Sequence, residues 1–144
     1  MKRLPEYSYE NGHAICKVTT PEGQVFKGEA FLHEDDKDFE SPLTGQQIAE
    51  MRAIIDMYKE ETIILKAQLK ALNQLYYSMK HSKKFEPKSY ENIMLQRQIR
   101  LITEDLESTK QQLSVAKLDL HEYLLVKDKI RNKVRKNRAA LLDK

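Results

Sequence analysis

Three arginines near the end of the chain, Arg131, Arg135 and Arg138, recur at the i, i+4, i+7 spacing of a single helix stripe. Lys129, Lys133 and Lys136 form a second, separate stripe. A guanidinium fork matches the paired oxygens of a phosphate or pyrophosphate, which an ammonium point charge does not. The segregated arginines therefore suit the grip of an anion. Two plainer readings stand beside this one. Basic residues are favoured near a helix C-terminus by the dipole, and would then be solvated. They could also meet duplex nucleic acid, although no helix-turn-helix or zinc-finger context surrounds them.

Aromatic groups are the natural companions of such a stripe, because a base could stack on one while the arginines hold phosphates. Phe26 and Phe31 fall in the N-terminal region and Tyr123 falls just before the basic stretch. A purely packing role is the alternative for each. Other chemistry is poorly supported. Glu34, Asp35, Asp36, Asp38 and Glu40 lack the central Gly and terminal Glu of a calcium loop. His13, His33, His81 and His121 show no ligand spacing, and one cysteine cannot build a zinc set. Cys16 alternates with apolar neighbours and reads as a buried thiol. No Gly-rich phosphate loop and no nucleophile, base and acid set stands out. The expectation is a protein without catalysis, metal or cofactor.

The elements that must position these residues follow from periodicity. His13–Thr20 and Val25–Leu32 read as strands joined by the turn Pro21-Glu22-Gly23, with Gly28 a bulge or a close approach. A lone hairpin is marginal in water, so a third strand is expected, with Tyr7–Tyr9 as the candidate. An acidic loop follows. From about residue 44 the positions Ile48, Met51, Ile55, Tyr58, Thr62, Leu65, Leu69, Leu72, Tyr76 and Met79 alternate spacings of three and four. That is a coiled-coil seam. A second seam runs from Leu95 through Leu106, Leu113, Leu120, Tyr123, Ile130 and Val134 to Leu141, with Ser89 a plausible N-cap.

The predicted fold class is α+β: a small N-terminal antiparallel sheet over about residues 7–33, then two long antiparallel coiled-coil-like helices over 44–80 and 89–141. At 144 residues the chain suits one domain. The second helix is the longer, so from about Val126 onward it should overshoot the start of the first. That would bring the basic stretch beside the strands, and the continued seam at Ile130, Val134 and Leu141 argues that it packs there. Further apolar residues, among them Ile54, Ile63, Ile64, Leu101, Leu118, Leu124, Leu125 and Val126, would be left in water on one copy, which predicts a homodimer or a larger closed assembly.

Composition bounds the setting. A third of the residues are charged but the net charge is only +3, too balanced to mark a nucleic-acid protein by itself. The single cysteine fits a reducing compartment, and no apolar run approaches the roughly 18 residues of a membrane span. A cytoplasmic protein is expected.

Two segments carry a resemblance. Gly28-Glu29-Ala30-Phe31-Leu32-His33-Glu34-Asp35-Asp36 puts a Gly-x-Ala strand before a His/Asp loop, and Gly45–Ala53 opens a helix with Ile48-Ala49-x-x-Arg52-Ala53. Together with the order hairpin, long helix, long helix, this resembles the Thoeris anti-defence sponge family. The resemblance implies a phage protein in an infected bacterial host, capturing cyclic ADP-ribose isomers made by TIR-domain enzymes without degrading them. In some members, cyclic di- or trinucleotides sit in separate pockets. It implies assembly through dimers into hexamers, and an arginine pair one turn apart near the end of the last helix, which Arg131 and Arg135 fit. The expected ligand contacts are Arg131, Arg135, Arg138, Tyr123, Phe26 and the amide of Asn132. The alternative is a coiled-coil interaction or nucleic-acid-binding adaptor.

Overall fold

A computed structural model describes residues 4–32, 42–82 and 86–143. The acidic loop Glu34–Glu40 and His33 lie outside the described residues. Five elements follow in order: β1 (Leu4–Glu10), β2 (His13–Thr19), β3 (Val25–Phe31), α1 (Pro42–Lys80) and α2 (Tyr90–Leu142). The fold is α+β, a three-stranded antiparallel sheet of order β1-β2-β3 followed by two long helices.

The sheet is set by two turns of different chemistry. Asn11 and Gly12 both hold positive φ, 51° and 79°, the backbone a tight two-residue hairpin requires. The second turn is closed by Gly23, at φ 87°, whose N–H donates to Thr20 O. Register is unbroken through Tyr7↔Cys16↔Gly28 and Tyr9↔Ala14↔Ala30, so no bulge interrupts β3 at Gly28. Alternation places Ala14, Cys16, Val18, Gly28 and Ala30 on the buried face.

The long helices begin and end where local chemistry dictates. Helix α1 starts at Pro42, two residues earlier than its periodicity suggests, because proline's fixed φ and missing N–H suit a first helical position. Helix α2 starts at Tyr90 behind Ser89, whose Oγ accepts from Asn92 N at 3.3 Å as an N-cap. The helices run 39 and 53 residues.

The residues cluster into two compact units. The first holds the sheet, α1 up to Met57 and α2 from Ser114 onward. Its core joins Ala14, Cys16, Val18 and Ala30 of the sheet to Ile48, Ala49 and Ala53 of α1, with Tyr9, Leu120, Tyr123 and Leu124 packed against it. The helix approaches the sheet on small residues. A Cβ added to Gly45 would lie 3.1 Å from Ala14 Cβ, and one added to Gly28 would overlap the Ala49 backbone. Gly45, Ala49 and Ala53, spaced by four, thus let α1 lie directly on the strands. Further along α1, Met57 is fully buried, a burial that contributes about 2 kcal/mol.

The second unit, Tyr58–Leu113, is built from the rest of both helices and their connector. Thr62, Leu106 and Thr109 are buried in its seam, and Leu65, Leu69, Leu72, Leu95, Ile99 and Ile102 are half-buried. Gln96 donates to Tyr76 OH at 3.4 Å, and Asn92 Nδ2 donates to Pro87 O at 2.7 Å, tying the connector to the start of α2. The seam expected from spacing is thus the buried stripe here.

Candidate functional site

The first unit brings the start of α1 against α2. Thr44, in the first turn of α1, faces Tyr123, Val126, Lys127 and Ile130 around a cavity of about 150 Å³. Tyr123 also packs on the sheet core, which fixes the ring. The cavity therefore combines a hydroxyl at a helix N-terminus, a phenol, an ammonium and an apolar floor. Helix N-termini carry partial positive charge and unsatisfied N–H groups, so with Lys127 the local field suits an anion.

Arg131 follows one turn after Lys127. Its side chain is mostly buried, and Nη2 lies 3.2 Å from Asp128 Oδ1. An acidic residue three positions earlier thus holds the guanidinium along the helix. Arg135 and Arg138 are exposed further along α2. The α2 segment after Tyr123 does run past the head of α1, as the length mismatch suggests. Its packing does not continue as expected. Val134 is half-buried, but Ile130 and Leu141 are 53% and 72% exposed.

Two expected ligand contacts do not join this group. Phe26 is half-buried on β3, opposite Val18. It sits at the Ala53 end of the sheet, about 13 Å along the strand from Ala30, and it does not line the cavity. Asn132 is exposed one residue beyond Arg131 and lies off the cavity lining. Of the six, Tyr123 and Arg131 are near the head of α1, Arg135 and Arg138 extend the stripe, and Phe26 and Asn132 stand apart.

A second feature of this unit was not legible from spacing. Tyr7 OH donates to Glu50 Oε2 at 2.7 Å, linking β1 to α1. That hydrogen bond to a carboxylate pushes the phenol up to about 12. Glu50 then borders a cleft of about 290 Å³ with Gln47, Met51, Ile54, Ala116 and Asp119. Nearby, burial pushes the Cys16 thiol up to about 11, so this sulfur is kept neutral and unreactive. On the outer sheet face His13 stacks on Phe31 at 4.3 Å, and Lys27 Nζ lies 2.7 Å from Glu29, holding that carboxyl below its usual range. Among the described residues no group of three His, Cys, Asp or Glu could hold a metal ion. Among them, too, no helix is long and apolar enough to cross a membrane.

Comparison with protein-family models, with curated proteins and with solved structures finds no match. The residues behind the family resemblance have a clear structural task. Gly28, Ala49 and Ala53 make the closest helix-to-sheet approach, and Arg52 Nη1 donates to Glu29 O at 2.7 Å on the same strand. None of them lines the cavity at Thr44.

Proposed function

We propose that the chain is a non-catalytic binding protein that sequesters an anionic cyclic nucleotide signal of the cyclic ADP-ribose type, and in further pockets cyclic di- or trinucleotides. In this reading it is a phage anti-defence protein, acting in the cytoplasm of an infected bacterium and releasing its ligand unaltered. The observation that supports it most is the cavity at Thr44, where a helix N-terminus, Lys127 and Tyr123 converge one turn before Arg131. Its 150 Å³ accommodates a phosphate-sized group. Whole small-molecule sites run about 300–1,000 Å³. The remainder of the ligand then lies over Arg135 and Arg138, with further wall supplied by a second copy in a homodimer or hexamer. A binding role of this kind needs no nucleophile, base or cofactor.

The test is recovery of ligand. The protein is incubated with cyclic ADP-ribose isomers, freed of excess and heat-denatured, and the released fraction is read by mass. Unaltered ligand, retained by the native protein and lost in Arg131→Ala/Arg135→Ala, supports the reading. A ligand that is not retained, or that emerges converted, ends it.

A second reading, a coiled-coil interaction adaptor, draws on Val115, Leu118 and Leu125. All three lie on α2 away from its seam and are 47–54% exposed. Its nucleic-acid form predicts binding with a steep salt dependence that small nucleotides do not compete away.

A further inference from the structure

The helix α1 carries a second regular strip that the seam does not use. Ile63, Lys66, Lys70, Asn73 and Tyr77 repeat the three-four spacing on the flank of the seam, over about 21 Å of helix. The strip borders a shallow, wide-open depression lined entirely by α1. Lys66, Lys70, Asn73, Gln74 and Tyr77 line it, and the half-buried Leu69 forms its floor. Ile63 and Tyr77, at the two ends, are 61% and 66% exposed. His81 packs against the Tyr77 ring, with centroids 4.2 Å apart.

The strip is also electrically one-sided. Between Glu61 and Glu86 the sequence contains no acidic residue. Among the described residues neither Lys66 nor Lys70 meets a carboxylate at ion-pair distance, whereas Lys110 on α2 does, at Glu107. We propose that this strip is a docking seam for an acidic α-helix of a partner protein, with apolar side chains seated at Ile63 and Tyr77 and carboxylates at Lys66 and Lys70.

Each property of the partner follows from the strip. The three-four repeat is what a second helix needs for knobs-into-holes contact. Cations at the middle of the seam demand carboxylates opposite them, and reject a basic or neutral helix by leaving charge unpaired. A second copy of the same strip is disfavoured by symmetry. The strip is centred on Lys70, so a two-fold antiparallel pairing sets lysine against lysine. The amides of Asn73 and Gln74 add hydrogen-bond capacity that fixes register.

The experiment uses the full chain and a fluorescein-labelled helical peptide of about 20 residues. The peptide carries Glu opposite the lysines and Leu opposite Ile63 and Tyr77, and binding is followed by anisotropy. Saturable binding is expected, weakened by salt, and reduced about tenfold or more by Lys66→Glu/Lys70→Glu. Arg131→Ala/Arg135→Ala should leave it unchanged. A peptide with the Glu and Leu positions shifted by two residues should not bind. Circular dichroism checks that the exposed charge reversals keep the helix. The proposal is overturned by absence of saturable binding, by equal binding of the shifted peptide, or by indifference to the lysine reversals. It is also overturned if oligothymidylate displaces the peptide at equal strength, which assigns the strip to nucleic acid. Dissociation of a native oligomer of the free chain by the same reversals assigns it to a second copy instead, and likewise overturns the proposal.

Discussion

Gly28 of β3 lies so close to Ala49 of α1 that no side chain fits between them. A Cβ at residue 28 would overlap the Ala49 carbonyl oxygen and come within 2.6 Å of Ala53 N. The neighbours are backbone, which cannot rotate away as a side-chain tip can. Gly28→Ala must therefore push α1 off the sheet and open the small-residue core around Cys16 and Ala30. Overpacking of this kind costs about 3 kcal/mol. Thermal denaturation followed by circular dichroism should show Tm lowered by roughly 10 °C. Gly23 is the contrast, since nothing lies within 4 Å of its missing Cβ and only its φ of 87° resists substitution. Gly23→Ala should cost about 1 kcal/mol. Equal losses at the two positions would remove the close-approach account.

The alkaline limit of stability should be set in part by Cys16 and Tyr7. The thiol titrates ordinarily at 9.0 and is pushed up to about 11 in the fold by burial. The phenol moves from 10.0 to about 12 through its hydrogen bond to Glu50. Both groups are neutral below these values, and the folded state holds its protons more tightly than the unfolded chain. The stability they contribute is complete below pH 9 and falls as pH rises through 11 and 12. Chemical denaturation across that window should show a decline that is shallower in Cys16→Ala and in Tyr7→Phe. A wild-type profile flat to pH 11 would contradict the assignment. At neutral pH the buried thiol should react with a disulfide reagent only after denaturant is added.

Much of this architecture was legible, and the reasons are physical. The three-four seams were readable because large apolar side chains at Ile48, Ile55 and Leu106 are both periodic and buried. Gly28 was legible as a close approach because a glycine inside a strand has few other uses. The stripe Gly45, Ala49, Ala53 was not, since small residues give no hydropathy signal although they decide how α1 meets the sheet. The Tyr7–Glu50 contact spans 43 residues and depends on tertiary register, which spacing cannot reveal. At the candidate site, Tyr123 and Arg131 lie on one helix, but of the two only Tyr123 borders the cavity at Thr44. Phe26 lies elsewhere, opposite Val18 on the sheet and off the cavity lining, a placement that depends on strand register and not on spacing.

Asn92 offers a test of a buried polar group. It is fully buried, donates to Pro87 O at 2.7 Å, and leaves Oδ1 without a partner. Rotating the amide would set oxygen against oxygen, so the donor must stay where it is. Asn92→Ala removes one hydrogen bond and the orphaned acceptor together, with a loss of about 1–2 kcal/mol. Asn92→Asp keeps the shape but buries a carboxylate against a carbonyl, which should cost about 3 kcal/mol or more at neutral pH. Urea denaturation that ranks Asp milder than Ala would show that this contact does not hold the connector.

The cavity at Thr44 makes a prediction that separates it from the rest of the arginine stripe. Lys127 borders the cavity, and Arg131 lies one turn further on, fixed along the helix by Asp128. Asn132 is exposed beside it, and Phe26 sits further along the sheet. An anion seated in the cavity should lose its charge-assisted contacts in Lys127→Ala and in Arg131→Ala, each weakening binding by about tenfold or more. Asn132→Ala and Phe26→Leu should leave affinity within about twofold, since neither touches the anchored group. Calorimetric titration with a cyclic ADP-ribose isomer reads all four. Losses at Lys127 and Arg131 with none at Phe26 place the anion at the head of α1. A loss at Phe26 that equals the loss at Lys127 moves the ligand to the sheet instead, and a fourfold set of unchanged affinities removes this end of α1 from the ligand's path.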